Sequence, residues 1–137
     1  MKRLGLAVKS FIVNDKKELL LIKRQKDDAH SPGAWEIPGG RLELGEDPFE
    51  ALRRETKEET NLDIEILNPL KVHHFKRDDG QHITMISFLC KPKSNSIILS
   101  EEHTDYKWLE LEKAGAEIHK GFKKEVEMFK KNFLDKL

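Results

Sequence analysis

The stretch Gly39–Leu62, GGRLELGEDPFEALRRETKEETNL, carries the clearest structural pattern in the chain. Asp47 is an acid suited to cap a helix, Pro48 suits the first helical position, and Glu50 follows the cap by three residues. Asn61 tolerates a positive φ angle, so it is a plausible helix terminator. The sequence therefore predicts one helix that starts at Pro48 and runs to about the residue before Asn61.

The predicted helix carries three acids on one side. Glu55, Glu58 and Glu59 stand at positions i, i+3 and i+4, so their carboxylates occupy about one third of the helix circumference. Like charges at this spacing cost a few tenths of a kcal/mol per pair, so a cation would stabilise them. Carboxylate ligands that leave positions for water and phosphate oxygens favour Mg²⁺ or Mn²⁺.

A solvated helix face is the alternative interpretation of these acids. Arg54 can pair with Glu50 on one side and with Glu58 on the other, because each pair is four residues apart. The helix spacing alone does not separate this interpretation from a metal site.

The wider spacing around the helix resembles the signature of the Nudix hydrolases. The matching positions are Gly40, Glu46, Arg54, Glu55, Glu58 and Glu59, with the apolar Leu62 at the end. Two positions depart from the pattern: Thr56 replaces the usual aliphatic residue and Asn61 replaces the usual glycine. Neither change removes a presumed ligand, and Pro38-Gly39-Gly40 precedes the motif as it does in the family.

The resemblance implies an α/β fold, a Nudix-type α/β/α sandwich with a mixed β-sheet, as a single domain over residues 1–137. The N-terminal third looks most like the MutT-type nucleoside triphosphate hydrolases, including Asp28-Ala29-His30 in a loop.

The resemblance also implies roles for individual residues. Glu55, Glu58 and Glu59 would hold the catalytic Mg²⁺ ions, for which Mn²⁺ could substitute, and the carbonyl of Gly39 would be a further ligand. Gly40, Glu46 and Arg54 would be structural members of the motif.

Three residues outside the motif are candidates for the same site. Arg24, at the end of a predicted strand, is a candidate phosphate contact, because its planar fork suits phosphoryl oxygens, although an exposed strand-end charge is equally plausible. A later glutamate often completes the site in this family, and Glu102 is the best positional candidate, with Glu101 second. Glu55 and Glu102 both remain open as the general base.

The activity implied is Mg²⁺-dependent hydrolysis of a phosphoanhydride bond in a nucleoside diphosphate linked to another moiety. A nucleoside or deoxynucleoside triphosphate, normal or oxidised, is the favoured substrate, giving a nucleoside monophosphate and pyrophosphate. Nucleotide sugars and dinucleoside polyphosphates stay open as alternatives. A non-catalytic nucleotide-binding sensor and an enzyme of RNA ends are the other two hypotheses.

The remaining elements follow from periodicity and turn residues. We expect a hairpin of strands 4–13 and 18–24, a second hairpin of strands 62–75 and 81–91 around Asp79-Gly80, a short strand 105–109 and a short helix 111–116. The spacing of Phe122, Val126, Phe129 and Phe133 predicts an amphipathic C-terminal helix packed on the body. A mixed sheet between helical layers should result.

Composition limits the partners. The 137 residues carry 25 Lys plus Arg and 25 Asp plus Glu, so there is no excess charge to attract a nucleic-acid backbone or an anionic membrane. No apolar run is long enough to span a bilayer, and the basic N-terminus lacks the apolar core of a signal peptide. We therefore expect a cytoplasmic protein that binds a small nucleotide; the oligomeric state is open.

Cysteine and histidine residues predict no further site. Cys90 lies in an apolar run, where a buried, inert thiol is the better interpretation. His73 and His74 are adjacent on a strand, so they point to opposite faces and do not chelate together. No zinc site is expected, and His103 should lie at the surface, where it could contact substrate.

Overall fold

Residues 4–136 are described by a computed structural model of the chain, without the side chain of residue 136. Residues 1–3 and 137 lie outside the described range, and with them the two ends of the predicted domain and the basic N-terminal residues. The strands are β1 (Leu4–Ile12), β2 (Glu18–Arg24), β3 (Trp35–Glu36), β4 (Gly39–Arg41), β5 (Ile64–Lys76), β6 (His82–Pro92) and β7 (His103–Glu110). The helices are α1 (Pro48–Thr60), α2 (Leu111–Glu117) and α3 (Lys123–Asn132), with 3-10 turns at Lys120–Phe122 and Leu134–Lys136.

Two sheets organise these strands. The larger has the order β4-β1-β6-β5 and is mixed, since β1 runs parallel to β6 and antiparallel to β4. The smaller sheet, β3-β2-β7, is antiparallel. The predicted α/β class with a mixed sheet is confirmed. The strands form two sheets, whereas one was expected.

The predicted β1–β2 hairpin is wrong. The turn after β1 closes, with Asn14 and Glu18 joined by a 3.0 Å backbone hydrogen bond, but only Val13 and Leu19 form a bridge beyond it. Strand β1 is hydrogen-bonded to β6 along its whole length and to β4 at Ala7, Val8 and Lys9. Strand β2 instead pairs with β3 and β7 in the smaller sheet.

Helix α1 starts and ends as predicted. The Asp47 carboxylate accepts hydrogen bonds from the backbone N–H of Phe49 at 2.8 Å and of Glu50 at 2.9 Å. Asn61 ends the helix in the left-handed region, at φ 67°. The Thr56 hydroxyl, at the position that departs from the family pattern, lies 3.0 Å from the Ser10 hydroxyl on β1. Thr56 therefore adds a buried polar contact between helix and sheet.

The C-terminal helix packs on the opposite face of the larger sheet. Phe122, Val126 and Phe129 are buried, and the rings of Phe129 and Phe11 of β1 are 5.3 Å apart. The predicted apolar stripe is confirmed, with Phe133 partly buried against the same core.

Cys90 lies in the hydrophobic core. Cys90 is fully buried, and burial raises the pKa of its thiol to about 12, as an inert thiol requires. Within residues 4–136, no helix has the length and apolar character needed to cross a membrane.

Helix α3 carries a buried acid, Glu125. The side chain of Glu125 is fully buried, and neither of its carboxylate oxygens has a hydrogen-bond partner. Around it lie Lys71, Ser87 and His73, whose Nδ1 is 3.9 Å from a carboxylate oxygen. Burial raises the pKa of Glu125 to about 7, and the charge of Lys71 only partly offsets this effect.

Replacing Glu125 with Gln should change how stability depends on pH. The native pKa, about 7, exceeds the ordinary value of 4.5, so the stability linked to this proton is fully present below about pH 4.5 and is lost as pH rises through about 7. Wild type should lose up to about 3 kcal/mol relative to Glu125→Gln across this window. Urea unfolding of both proteins at several pH values measures the difference. The exposed neighbour Glu127→Gln is the control, and parallel profiles for wild type and Glu125→Gln would contradict the prediction.

Candidate active site

The predicted site lies where α1 approaches β4. Gly39 and Gly40 pair with Lys9 and Val8 of β1, so β4 is held against the centre of the sheet. A Cβ on Gly40 would lie 2.7 Å from the Glu55 carboxylate, and one on Gly39 would lie 2.1 Å from the Val8 carbonyl oxygen. Gly39 is required because a Cβ there would collide with the backbone of β1 and because its φ of 149° favours glycine, whereas a Cβ on Gly40 would displace the Glu55 carboxylate.

Arg54 clamps the loop between β4 and α1. Its Nε and Nη2 donate to the two carboxylate oxygens of Glu46 at 2.7 and 2.9 Å, and Nη2 also donates to the Arg41 carbonyl at 3.2 Å. The hydrogen bond from Arg54 lowers the pKa of Glu46 to about 2. This geometry fits the structural role that the resemblance implies for Arg54 and Glu46.

The same guanidinium contacts two of the presumed metal ligands. Arg54 Nη1 lies 3.1 Å from Glu55 and 3.3 Å from Glu58. The Glu58 side chain is 57% exposed, so it is free to turn toward solvent. The predicted i,i+4 pair between Arg54 and Glu58 is therefore present, and it brings two carboxylates toward one positive charge.

Glu59 points away from that pair. Its side chain is 7% exposed, Oε1 accepts the Gly39 N–H at 2.8 Å, and Oε2 lies 3.8 Å from His103 Nδ1. Burial raises the pKa of Glu59 to about 7, against the lowering effects of Lys9 and the Gly39 N–H. The helix thus places three acids on one side without converging their side chains. In the described part of the chain, no three Asp, Glu, His or Cys side chains are grouped to hold a metal ion.

Glu102 approaches the exposed part of this site from the segment before β7. Burial raises the pKa of Glu55, Arg54 opposes that rise, and the charges of Glu58 and Glu102 add to it. The Glu55 carboxylate is therefore close enough to Glu58 and to Glu102 to be affected by both charges, and we call these three residues the acidic rim. Glu101, the second candidate, contacts Gln25 through its backbone carbonyl at 2.6 Å.

Arg24 is engaged by two acids. Its Nη1 donates to Glu36 at 2.9 Å and its Nη2 donates to Asp28 at 2.8 Å, and the side chain is 23% exposed. Arg24 is thus not an exposed strand-end charge. A phosphate contact from Arg24 stays a prediction, and it would have to compete with Glu36 and Asp28.

A buried polar network beside Glu59 is the feature that the sequence reasoning missed. Glu36 is 2.8 Å from His103 and 3.1 Å from the Lys9 ammonium. Burial opposes ionisation of Glu36, but Lys9, His103 and Arg24 together lower its pKa to about 2. His103 is buried, so the expectation that it lies at the surface is wrong.

One signal in the sequence could have revealed this network. Lys9 and Glu36 each interrupt a run of residues predicted to be buried, and a buried charge needs a partner of opposite sign. The partner cannot be identified from spacing, because Lys9 and Glu36 are 27 residues apart.

Comparison with known proteins defines the class. The NUDIX domain model matches residues 3–136, so the chain belongs to the NUDIX domain family. An 8-oxo-dGTP diphosphatase of Proteus vulgaris is 32% identical over 99 residues, which cover 71% of this chain and 86% of that protein. The resemblance to MutT-like Nudix hydrolases is thereby confirmed.

Solved structures support the same fold. A MutT protein from Methanosarcina mazei Go1 is 27% identical, with a TM-score of 0.86 and coverage of 99% of this chain and 98% of that chain. A C. elegans Ap4A hydrolase is 26% identical, with a TM-score of 0.82 and coverage of 97% and 99%. Two other curated relatives are longer, since the matched region spans 63% of one and 37% of the other.

Replacing Arg54 with Lys should destabilise the loop–helix junction. Lysine cannot donate the two parallel hydrogen bonds to Glu46, and hydrogen bonds to charged groups are worth about 1.5–3 kcal/mol. We expect a loss of about 1–2 kcal/mol in the free energy of unfolding, because the pair is partly exposed. The control is Arg53→Lys at the exposed neighbouring position, which should stay within about 0.5 kcal/mol of wild type. Urea unfolding checks both, and equal stability of the two variants would refute the clamp.

Proposed function

We propose that this protein is a Mg²⁺-dependent nucleotide hydrolase. It would cleave a phosphoanhydride bond in a nucleoside diphosphate linked to another moiety, with a nucleoside or deoxynucleoside triphosphate, normal or oxidised, as the main substrate. The observation that carries the proposal is the acidic rim beside Glu59. Within it, Arg54 Nη1 lies 3.1 Å from Glu55 and 3.3 Å from Glu58, and the charge of Glu102 acts on Glu55 from a separate chain segment.

The residues fit a hard divalent ion. Glu55, Glu58, Glu59 and the Gly39 carbonyl supply oxygen donors only, and these are the donors that Mg²⁺ and Mn²⁺ prefer. Arg54 Nη1, in contact with Glu55 and Glu58, marks a position where a positive charge is already stabilised. Bound there, Mg²⁺ would neutralise phosphate oxygens and orient water.

The side chains of the site would divide the remaining work. Glu46 keeps Arg54 in place through two hydrogen bonds, so Glu55 and Glu58 can exchange Arg54 Nη1 for a metal ion without losing the loop. Glu55 and Glu102 are the two candidate bases for the proton of the attacking water. Burial raises the pKa of Glu55, so Glu55 accepts a proton more readily than an ordinary glutamate does.

The reaction on a triphosphate would give two products. Water adds to a phosphorus atom, the phosphoanhydride P–O bond breaks, and the leaving oxygen departs with pyrophosphate, while the water proton passes to the base. The second product is the nucleoside monophosphate. The similarity to the Proteus 8-oxo-dGTP diphosphatase supports a triphosphate substrate.

A dinucleoside polyphosphate is the second candidate substrate. The C. elegans Ap4A hydrolase has nearly the same fold over almost the whole of both chains, which supports a dinucleoside polyphosphate as an alternative to the triphosphate. Nucleotide sugars are the third choice.

A non-catalytic nucleotide sensor is disfavoured because all three presumed ligands and Arg54 are present. RNA ends are disfavoured because there is no excess positive charge. We keep the cytoplasm as the proposed compartment.

Hydrolysis assays should show turnover that depends on Mg²⁺ and on Glu58. The panel contains normal and oxidised nucleoside triphosphates, dinucleoside polyphosphates and nucleotide sugars, with phosphate and pyrophosphate release as the readout. Glu58→Gln should lower turnover at least about a hundredfold, because it damages a direct metal ligand. Glu50→Gln, on the exposed side of α1, should act like wild type. Tight nucleotide binding without turnover in wild type would favour the sensor, and near-native turnover of Glu58→Gln would refute the assigned ligand.

Glu101 and Glu102 are adjacent, so they allow a matched test of which one completes the site beside Glu55, Glu58 and Glu59. Glu102 is the glutamate that we propose completes the site, so Glu102→Gln should lower turnover by about 10²- to 10⁴-fold. Glu101→Gln should stay within a few-fold of wild type. Steady-state kinetics at saturating Mg²⁺ measure both variants. Equal losses, or a larger loss in Glu101→Gln, would reverse the assignment.

A further inference from the structure

The β5–β6 hairpin brings two histidines together outside the candidate active site. His74 on β5 lies directly opposite Thr84 on β6, and His82 pairs with Lys76 one step along the same face. His74 and His82 are therefore diagonal neighbours, a spacing that long or aromatic side chains can bridge. Their ring nitrogens, His74 Nε2 and His82 Nδ1, are 3.3 Å apart.

We propose that His74 and His82 form a binding site for a divalent transition-metal ion, with Zn²⁺ as the ion of choice. Imidazole nitrogens suit Zn²⁺, Cu²⁺ and Ni²⁺, whereas the carboxylates of the acidic rim suit Mg²⁺ and Mn²⁺. The two sites would thus differ in ligand chemistry as well as in position.

The distance between the nitrogens fits two ligands of one ion. Zn–N bonds of about 2.0–2.1 Å that meet at a tetrahedral angle put the nitrogens about 3.3 Å apart. The observed separation is 3.3 Å. The rings lie 19° from parallel, and χ2 of histidine has a broad preference, so rotation about χ2 of each ring can turn its lone pair away from the line between the nitrogens and toward one ion.

Thr84 orients the first ligand. Its hydroxyl lies 2.9 Å from His74 Nδ1. The tautomer that donates from Nδ1 to Thr84 carries its lone pair on Nε2, the nitrogen that faces His82. An outer hydrogen bond of this type is the usual way in which proteins orient a metal-binding histidine.

The surroundings allow an ion to enter. His74 is exposed and His82 half-buried, on the part of the sheet face that also exposes Leu4 and Val72. Lys76 shares this face, and its exposed side chain can direct its ammonium into solvent. Within residues 4–136 no third metal-binding side chain joins the pair, so water would complete the coordination.

Zinc titrations of the whole chain test the site. Excess Mg²⁺ is present to occupy the oxygen ligands of the acidic rim. Competition with a chromophoric chelator measures the Zn²⁺ affinity, and the imidazole NMR signals identify the histidines that bind. Wild type should bind Zn²⁺ with shifts of the His74 and His82 signals, and His74→Ala and His82→Ala should each lose this binding. His30→Ala, at an exposed loop position, is the matched control and should bind like wild type. Unchanged affinity in both His74 and His82 variants, or shifts confined to other histidines, would overturn the proposal.

Thr84→Val separates a metal site from a simple ring–ring hydrogen bond. Valine keeps the β-branched shape on the strand and removes the hydroxyl that orients His74. Losing an outer partner typically weakens metal binding about 10- to 100-fold, so Thr84→Val should bind Zn²⁺ at least about tenfold more weakly than wild type. Wild-type Zn²⁺ affinity in Thr84→Val would contradict the role assigned to Thr84. None of these readouts uses the hydrolase activity.

Discussion

The close approach of α1 to β4 is the constraint on which the rest of the site depends. The Glu59 carboxylate accepts the Gly39 N–H at 2.8 Å, and Gly40 leaves no room for a Cβ beside Glu55. The strand therefore presents a backbone N–H to one acid of the helix and a glycine to the other. Pro38 and the β1 pairing fix the direction of that strand, so Glu59, the Gly39 carbonyl and the sheet share one rigid frame.

Charge inside this frame is balanced rather than excluded. Glu36 contacts Lys9, Arg24 and His103, which come from three different strands, so one buried carboxylate links β1, β2 and β7 through β3. Removing one member would leave the others buried without a partner, which costs more than the pair itself is worth. The network also lies against Glu59 through His103. Glu59 and the strands around Glu36 are thus parts of one electrostatic unit.

Sequence patterns predicted the local elements well and the longer-range ones unevenly. Helix α1 was predictable from Asp47 to Asn61 because caps, proline and turn residues act within a few residues. The β1–β2 hairpin was not, because strand pairing depends on which edges other strands occupy. The helix spacing placed Glu55, Glu58 and Glu59 on one side, but side-chain direction depends on partners outside the helix. Glu59 turns to Gly39, whereas Glu58 turns to Arg54.

The contact between His74 and His82 was not predictable in this way, because it depends on strand register. Adjacent His73 and His74 point to opposite faces, the first toward Glu125 under α3 and the second toward Thr84. His82 is eight residues from His74, and the hairpin turn makes them neighbours. Which two histidines meet across a hairpin therefore depends on the length of the turn. Residue spacing along one strand does not reveal that length. Asp79-Gly80 sets that length, with Gly80 at φ 86°, and so determines which imidazoles meet.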